Sequence, residues 1–152
     1  MRKFEVCKGF ENAGVNLPVR STSESAGYDV EAIEDTIIPS IWTSDNKKGT
    51  LVKTGIKIYC KDSEYVGLYS RSSNFNKLGL LLANGVGVVD SDYADNVDND
   101  GHVMFNFVNM GGEDLEIKKG TRIGQAIFMP YLLTEDDEAT SIRVGGYGST
   151  GL

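Results

Sequence analysis

Apolar and polar residues alternate along most of the chain. In TLVKTGIKIYC, Val52, Ile56, Ile58 and Cys60 fall on one face. In HVMFNFVNM, Val103, Phe105 and Phe107 alternate with Met104, Asn106 and Val108, and DLEIKKG and RIGQAIFMP behave likewise. A period of two belongs to half-buried strands. Gly-containing turns separate the runs, and 18 glycines supply positions for positive φ. One short helix is predicted after RSS, around Asn74 to Leu80. Many short strands with few helices predict an all-β sandwich or barrel.

Three segments break the alternation. IWTSDNKKGT (41–50) is polar around a single Trp, and DNVDNDG (95–101) has almost nothing to bury. Both are predicted loops. The chain ends in VGGYGSTGL, too rich in glycine to pack alone. An aromatic and two hydroxyls on such a tail suit a lid, and a frayed end is the plain alternative.

Length and composition narrow the class. The 152 residues suit one domain with a real core. A net charge of -7 argues against broad binding to nucleic acid or an anionic membrane. It leaves room for a small polyanion held by a few arginines and a metal ion. No apolar run approaches the roughly 20 residues of a membrane span, and MRKFEVCKGF lacks the apolar core of a signal peptide. The expected location is cytoplasmic, or the host-cell interior if the chain is viral. Cys7 and Cys60 lack zinc-ligand spacing and are expected as buried or partly buried thiols in a reducing compartment.

The acidic stretch VVDSDYADNVDNDG (88–101) carries the first candidate chemistry. VVD ends an apolar run, so Asp90 stands where a strand leaves the core. A partly desolvated carboxylate of fixed orientation suits a general base or a metal ligand, although strand-end aspartates also cap turns. Asn96, Asp98 and Asp100 alternate ahead of Gly101, like the opening of a calcium loop. An EF-hand needs Glu at its twelfth position, where Phe107 stands. A solvated acidic loop is therefore expected, with a non-EF-hand calcium site as the alternative. In YSRSSNF, Arg71, Ser72 and Ser73 combine a guanidinium fork with hydroxyls, which suits phosphate. His102, the one histidine, is read as a surface or strand-end residue.

Taken in order, these segments resemble the five motifs of the trimeric dUTP pyrophosphatases (dUTPases). AGYDV (26–30), SRSSNF (70–75), NGVGVVDSDY (84–93), KGTRIGQAIF (119–128) and RVGGYGSTG (143–151) are the counterparts. The resemblance implies a jelly-roll-like β subunit forming a homotrimer with shared active sites. It implies one domain, with a β core over 1–140 and an arm over 141–152 that closes a neighbouring site. The implied reaction is hydrolysis of dUTP to dUMP and pyrophosphate by in-line attack of water on the α-phosphorus, with Mg²⁺ as cofactor.

Carried over by position, Asp90 would activate the water. Arg71, Ser72, Ser73 and Gln125 would line the phosphates, and Arg143, Gly148, Ser149 and Thr150 would close on the γ-phosphate. Asn84, Gly87 and Val88 would read the uracil edge, Tyr93 would exclude a 2′-OH, and Tyr147 would stack on the base. Asp29 would act on the metal through water, the substrate phosphates being its main ligands. Four features depart from the pattern. One residue is missing between Arg143 and the glycines, SNF replaces the usual Gly and Leu, Ala94 to Asp100 is an insertion, and the chain stops one residue past the fifth motif. A dCTP deaminase shares the implied fold, but no Glu stands between Tyr93 and Met110 to shuttle protons. The other alternative is a non-catalytic β-domain that senses nucleotide or binds calcium or a partner.

Overall fold

The computed structural model describes residues 1–45, 47–141, 143, 145 and 146. Among them are eleven strands and one helix: β1 Lys3–Val6, β2 Tyr28–Glu31, β3 Thr36–Ile38, β4 Thr50–Lys53, β5 Ile56–Tyr59, β6 Glu64–Ser70, α1 Ser73–Leu78, β7 Leu80–Leu82, β8 Gly87–Val89, β9 Met104–Asn109, β10 Leu115–Ile117 and β11 Arg122–Pro130. A four-stranded sheet runs β2-β11-β6-β8 and a three-stranded sheet runs β4-β9-β7. The pairs β1-β5 and β3-β10 complete the body, and every strand pairing is antiparallel.

The alternation along β9 places Phe105 and Phe107 in the core, with Val103 just before it. The two rings stack with centroids 6.0 Å apart. Gly124 of β11 lies under the Phe105 ring, where a Cβ would overlap it. Val30, Val52, Val66 and Ala126 pack into the same core from both larger sheets. Close packing of this kind makes each methylene count.

The run from Val52 to Cys60 is one period-two pattern in sequence but two strands in space. Gly55 has φ +71°, and β4 joins β9 while β5 joins β1. His102 holds this break; of the two positions expected for it, the surface is wrong, since it is buried, and it lies two residues before β9. Its Nε2 accepts the backbone N–H groups of Gly55 (2.9 Å) and Thr54 (3.3 Å), and Phe10 packs on its ring. Two buried donors need an acceptor there, a requirement that the sequence pattern does not display.

Burial pushes the His102 pKa down to about 4, with Lys53 adding to the fall and Glu34 opposing it. The folded state therefore binds fewer protons than the unfolded chain between pH 4 and 6.5. This contribution is fully present above the unfolded value and is lost as pH falls through about 4, by about 3 kcal/mol in all. His102→Gln retains an acceptor and removes the titration. Urea melts of both proteins across pH 4–7 are expected to show a steeper acid loss for the wild type; parallel curves would remove His102 as the cause.

The predicted helix forms over Ser73–Leu78 and stops at Gly79, whose φ of 67° places it in the left-handed region. Asn74 ties it down. Its Nδ2 donates to the Ile123 carbonyl (2.7 Å) and to Ser70 Oγ (3.0 Å). The β2-β11 register shifts between Arg122 and Gly124. The Ile123 carbonyl at that shift is thus satisfied by the second-motif segment.

The loop expected to be solvated is exposed at Asp95, Val97 and Asp98 and is also anchored at its base. Lys57 Nζ donates to Asp95 Oδ1 and to Asp100 Oδ2 (3.1 Å). Tyr59 Oη donates to Asp95, and the Lys8 backbone N–H donates to Asp100 Oδ2. Asp95 and Asp100 both have φ of 59°, and a Cβ on Gly101 would lie 2.6 Å from the Ala94 Cα. Among the described residues, no group of three or more His, Cys, Asp or Glu side chains is placed to hold a metal. Cys7 and Cys60 are buried free thiols, and burial pushes Cys7 up to about 12. No helix among the described residues is long and apolar enough to cross a membrane.

Candidate active site

The chain leaves the three-stranded sheet at β7, turns through residues 83–86, and enters the four-stranded sheet as β8. Gly85 makes this turn with φ +71°. A pocket of about 270 Å³ opens where the two sheets part. Asn84, Gly87, Val88, Asp90 and Tyr93 line it from the third-motif segment, facing Met104 to Asn106 of β9. Gly87 lies against Leu68, and an added Cβ would meet that side chain at 3.1 Å.

Asp90 follows directly on β8, and the Tyr93 N–H donates to the Asp90 carbonyl (3.1 Å). This turn fixes the carboxylate at the pocket and folds Tyr93 beneath it. Tyr93 is buried, its hydroxyl donating to the His102 carbonyl (3.2 Å) and accepting from Asn99 Nδ2 (3.0 Å). Bonded on two sides at its hydroxyl, the ring is held in place at the slot.

Arg143 closes the mouth. Its Nε donates to Asp92 Oδ1 (2.7 Å), its Nη2 bonds Asp90 Oδ2, and its guanidinium lies 5.7 Å from the centre of the Tyr93 ring. The Asp92 bond, then the Asp92 and Asp90 charges, raise its pKa against the opposing effect of burial. Asp92 therefore shares with Asp90 the holding of this arginine.

A second cleft, of about 200 Å³, brings Arg71, Ser72, Asp29 and Gln125 together with Ser21, Ser25 and Gly27. Gln125 of β11 pairs with Asp29 of β2 and with Tyr69 of β6. A Cβ on Gly27 would overlap the Gln125 amide, so this close approach needs glycine. Asp29 accepts from Ser21 Oγ (2.8 Å) and from Arg122 Nη1 (3.1 Å), with Arg71 Nε at 3.8 Å. Desolvation pushes its pKa up, but Ser21, Arg122 and Arg71 together outweigh it and hold the carboxyl below its usual range. Ser73 begins α1 and does not line this cleft. Arg122, Ser21 and Ser25 were not singled out in the sequence. Their signals were the STSES run before the first motif and the Arg beside IGQ.

The two clefts share no lining residue. Arg143 stands at the first, with Asp90, and not among the residues of the second. Tyr147, Gly148, Ser149 and Thr150 lie outside the described residues.

Fold and clefts together define a nearly all-β, jelly-roll-like protein with a carboxylate at a slot between the sheets and a separate arginine–serine cleft. The dUTPase family model matches residues 13–151. The chain is 45% identical over 153 aligned residues to the deoxyuridine 5'-triphosphate nucleotidohydrolase of Lactococcus lactis, covering 99% of this chain and 98% of that protein. The enzyme of the same name from Escherichia coli strain S88 is 36% identical, over 89% of this chain and 87% of its own. Among solved structures, the Streptococcus mutans dUTPase superposes with a TM-score of 0.78 at 38% identity, covering 87% of this chain and 98% of that one. The dUTPase of S. aureus phage phi11 shares the fold, with a TM-score of 0.71 at 15% identity over 93% of this chain and 97% of its own. The chain belongs to the dUTPase family.

Proposed function

We propose that this protein hydrolyses dUTP to dUMP and pyrophosphate, with uracil and deoxyribose in the slot and the triphosphate in the arginine–serine cleft of an adjoining chain. The observation that carries this is Asp90 at the mouth of a pocket floored by a doubly tethered Tyr93. A carboxylate accepts at two oxygens, and Arg143 takes Oδ2. Asp90 removes a proton from the attacking water, which strikes the α-phosphorus in line with the leaving pyrophosphate. Arg71, Ser72 and Gln125 donate to phosphate oxygens, where each donor aimed at developing charge contributes on the order of a few kcal/mol. Arg143 and the arm residues Gly148, Ser149 and Thr150 complete the phosphate contacts, and Tyr147 stacks on the base.

Selectivity follows from the pairing of donors and acceptors. Asn84, Gly87 and Val88 present side-chain and backbone groups to the base edge. Cytosine sets an amino donor where uracil has a carbonyl, and an unpaired buried donor costs about 1–3 kcal/mol. The fixed Tyr93 ring leaves no space for a 2′-OH.

The residues present fit a magnesium ion carried mainly by the substrate. Mg²⁺ is commonly held by one or two carboxylates together with phosphates, and the second cleft supplies one carboxylate, Asp29, beside two arginines. A phage phi11 dUTPase variant is described as coordinating a structural Mg(II) ion. When bound, the metal offsets phosphate charge and restricts the triphosphate's conformation.

The resemblance to the trimeric dUTPases implies a homotrimer with sites built between chains, and two clefts that share no lining residue are compatible with it. The test is to supply dUTP, dCTP, dTTP and UTP with Mg²⁺ and measure pyrophosphate, with sedimentation of the same sample. Release from dUTP far exceeding the others, from a trimer, is expected. No release from dUTP would sink the proposal.

A further inference from the structure

The irregular point of β11 adjoins the arginine–serine cleft. Arg122 pairs with Glu31 of β2 and Gly124 with Val30, so the register skips Ile123. On the other side, the pairing with β6 begins at Gly124 and Ser70. Ile123 is thus the extra residue of a bulge, where the ladder is locally disrupted and the side chains that follow are re-aimed. Gln125 comes two residues later, opposite Asp29 and Tyr69.

The second-motif segment supplies donors to both carbonyls at the bulge. Arg71 Nη1 donates to the Arg122 carbonyl (3.4 Å), and Asn74 Nδ2 donates to the Ile123 carbonyl (2.7 Å). The same Nδ2 donates to Ser70 Oγ (3.0 Å) at the end of β6, and the Asn74 N–H donates to the Arg71 carbonyl (3.0 Å). Among the described residues of α1, Asn74 alone is buried, at 2% exposure, while Phe75 and Leu78 are exposed. Ser72 does not cap the helix with its side chain, and six residues have little helical stability of their own. One buried amide therefore joins the end of β6, the bulge of β11 and the turn that carries Arg71 and Ser72.

We infer that Asn74 is a positioning residue for the arginine–serine cleft: it pins the Arg71–Ser72 turn to the bulge of β11 and so sets those donors opposite Gln125. This rests on the proposed hydrolysis for its kinetic consequence but not for the pinning itself. Ser73 and Asn74 stand where the motif usually has Gly and Leu, so the tie is a property of this chain. A buried carbonyl that loses its donor is costly to leave unpaired. The turn is the part free to shift in response, because both strands are held by their ladders.

The test uses full-length protein and two variants, Asn74→Leu and Asn74→Gln. Leucine fills the space without a donor, whereas glutamine keeps an amide donor on a longer stem. The pinning is read without nucleotide, as amide hydrogen exchange over residues 74–79, with Phe105 and Phe107 of β9 as the reference. Asn74→Leu is expected to exchange about tenfold faster over 74–79 with β9 unchanged, and Asn74→Gln within about threefold of wild type. Pyrophosphate assays then read the consequence. For Asn74→Leu, kcat/KM for dUTP is expected to fall about tenfold, while inhibition by deoxyuridine, which has no phosphate, stays within about twofold. The split is expected because the slot shares no lining residue with the second cleft and Asn74 lines neither. A general loss of packing would weaken both ligands together. Asn74→Gln is expected to restore most of the rate. Wild-type exchange over 74–79 in Asn74→Leu would overturn the pinning. Faster exchange with an unchanged kcat/KM, an equal loss for deoxyuridine, or a glutamine variant no better than leucine would overturn the positioning role. A wild type that releases no pyrophosphate would defeat the hydrolysis reading while leaving the exchange result standing.

Discussion

Asp90→Asn is expected to bind nucleotide normally and to lose about a thousandfold in turnover. General-base assistance is worth about 10²–10⁴ in rate. The amide fills the same volume but does not accept a proton from water at neutral pH. The side chain lies at the pocket mouth directly after β8, so no strand is disturbed by the change. Arg143 still has Asp92 as an anionic partner. A loss confined to the chemical step is therefore the signature. Single-turnover rates with dUTP, beside equilibrium binding of a non-hydrolysable analogue, would separate the two effects. A variant near the wild-type rate would move the base elsewhere, and a variant that fails to bind would make Asp90 a binding group.

Lys57→Met is expected to cost about 3 kcal/mol of stability, seen as a fall of roughly 10 °C in melting temperature. The Lys57 side chain is only 8% exposed and lies between Asp95 and Asp100. Burial alone would lower its pKa, but the bonds to Asp95 and Asp100 outweigh that and raise it. Removing the ammonium leaves the Asp100 side chain, 11% exposed, with the Lys8 donors, and Asp95 with the Tyr59 hydroxyl. The half-exposed Asp95 puts the expected cost at the low end for a broken buried pair. Adding Asp95→Asn and Asp100→Asn removes the two uncompensated charges and is expected to recover part of the loss. If Lys57→Met melted with the wild type, the loop would not depend on this anchor.

The period-two alternation in HVMFNFVNM was enough to place Phe105 and Phe107 inside, because a strand has only two faces. The helix after RSS was also visible, although its end moved to Leu78 once Gly79 supplied the left-handed turn. VVDSDY displayed its strand end and its carboxylate. The burial of His102 was not legible because a single histidine carries no periodic signal. What fixes it is a pair of backbone donors, at Thr54 and Gly55, some fifty positions away. The anchoring of the insertion was not legible for a related reason. Its five polar or charged residues look solvated in sequence, and only the nearness of Lys57, Tyr59 and Lys8 provides partners.

By itself, the sequence determined the β character, the order of the motifs, and the residue types available for a base, a sugar floor and phosphate donors. These are local properties, set by side-chain period and by the chemistry of each group. Only the tertiary structure decided which groups meet. It set Asp90 and Tyr93 in one slot and Arg71, Ser72, Asp29 and Gln125 in another. It also put Arg143 on Asp90 and Asp92, and Gly146 on Asp98. Such contacts join positions far apart in the chain, and their energies depend on distance and burial, which no spacing in the sequence encodes.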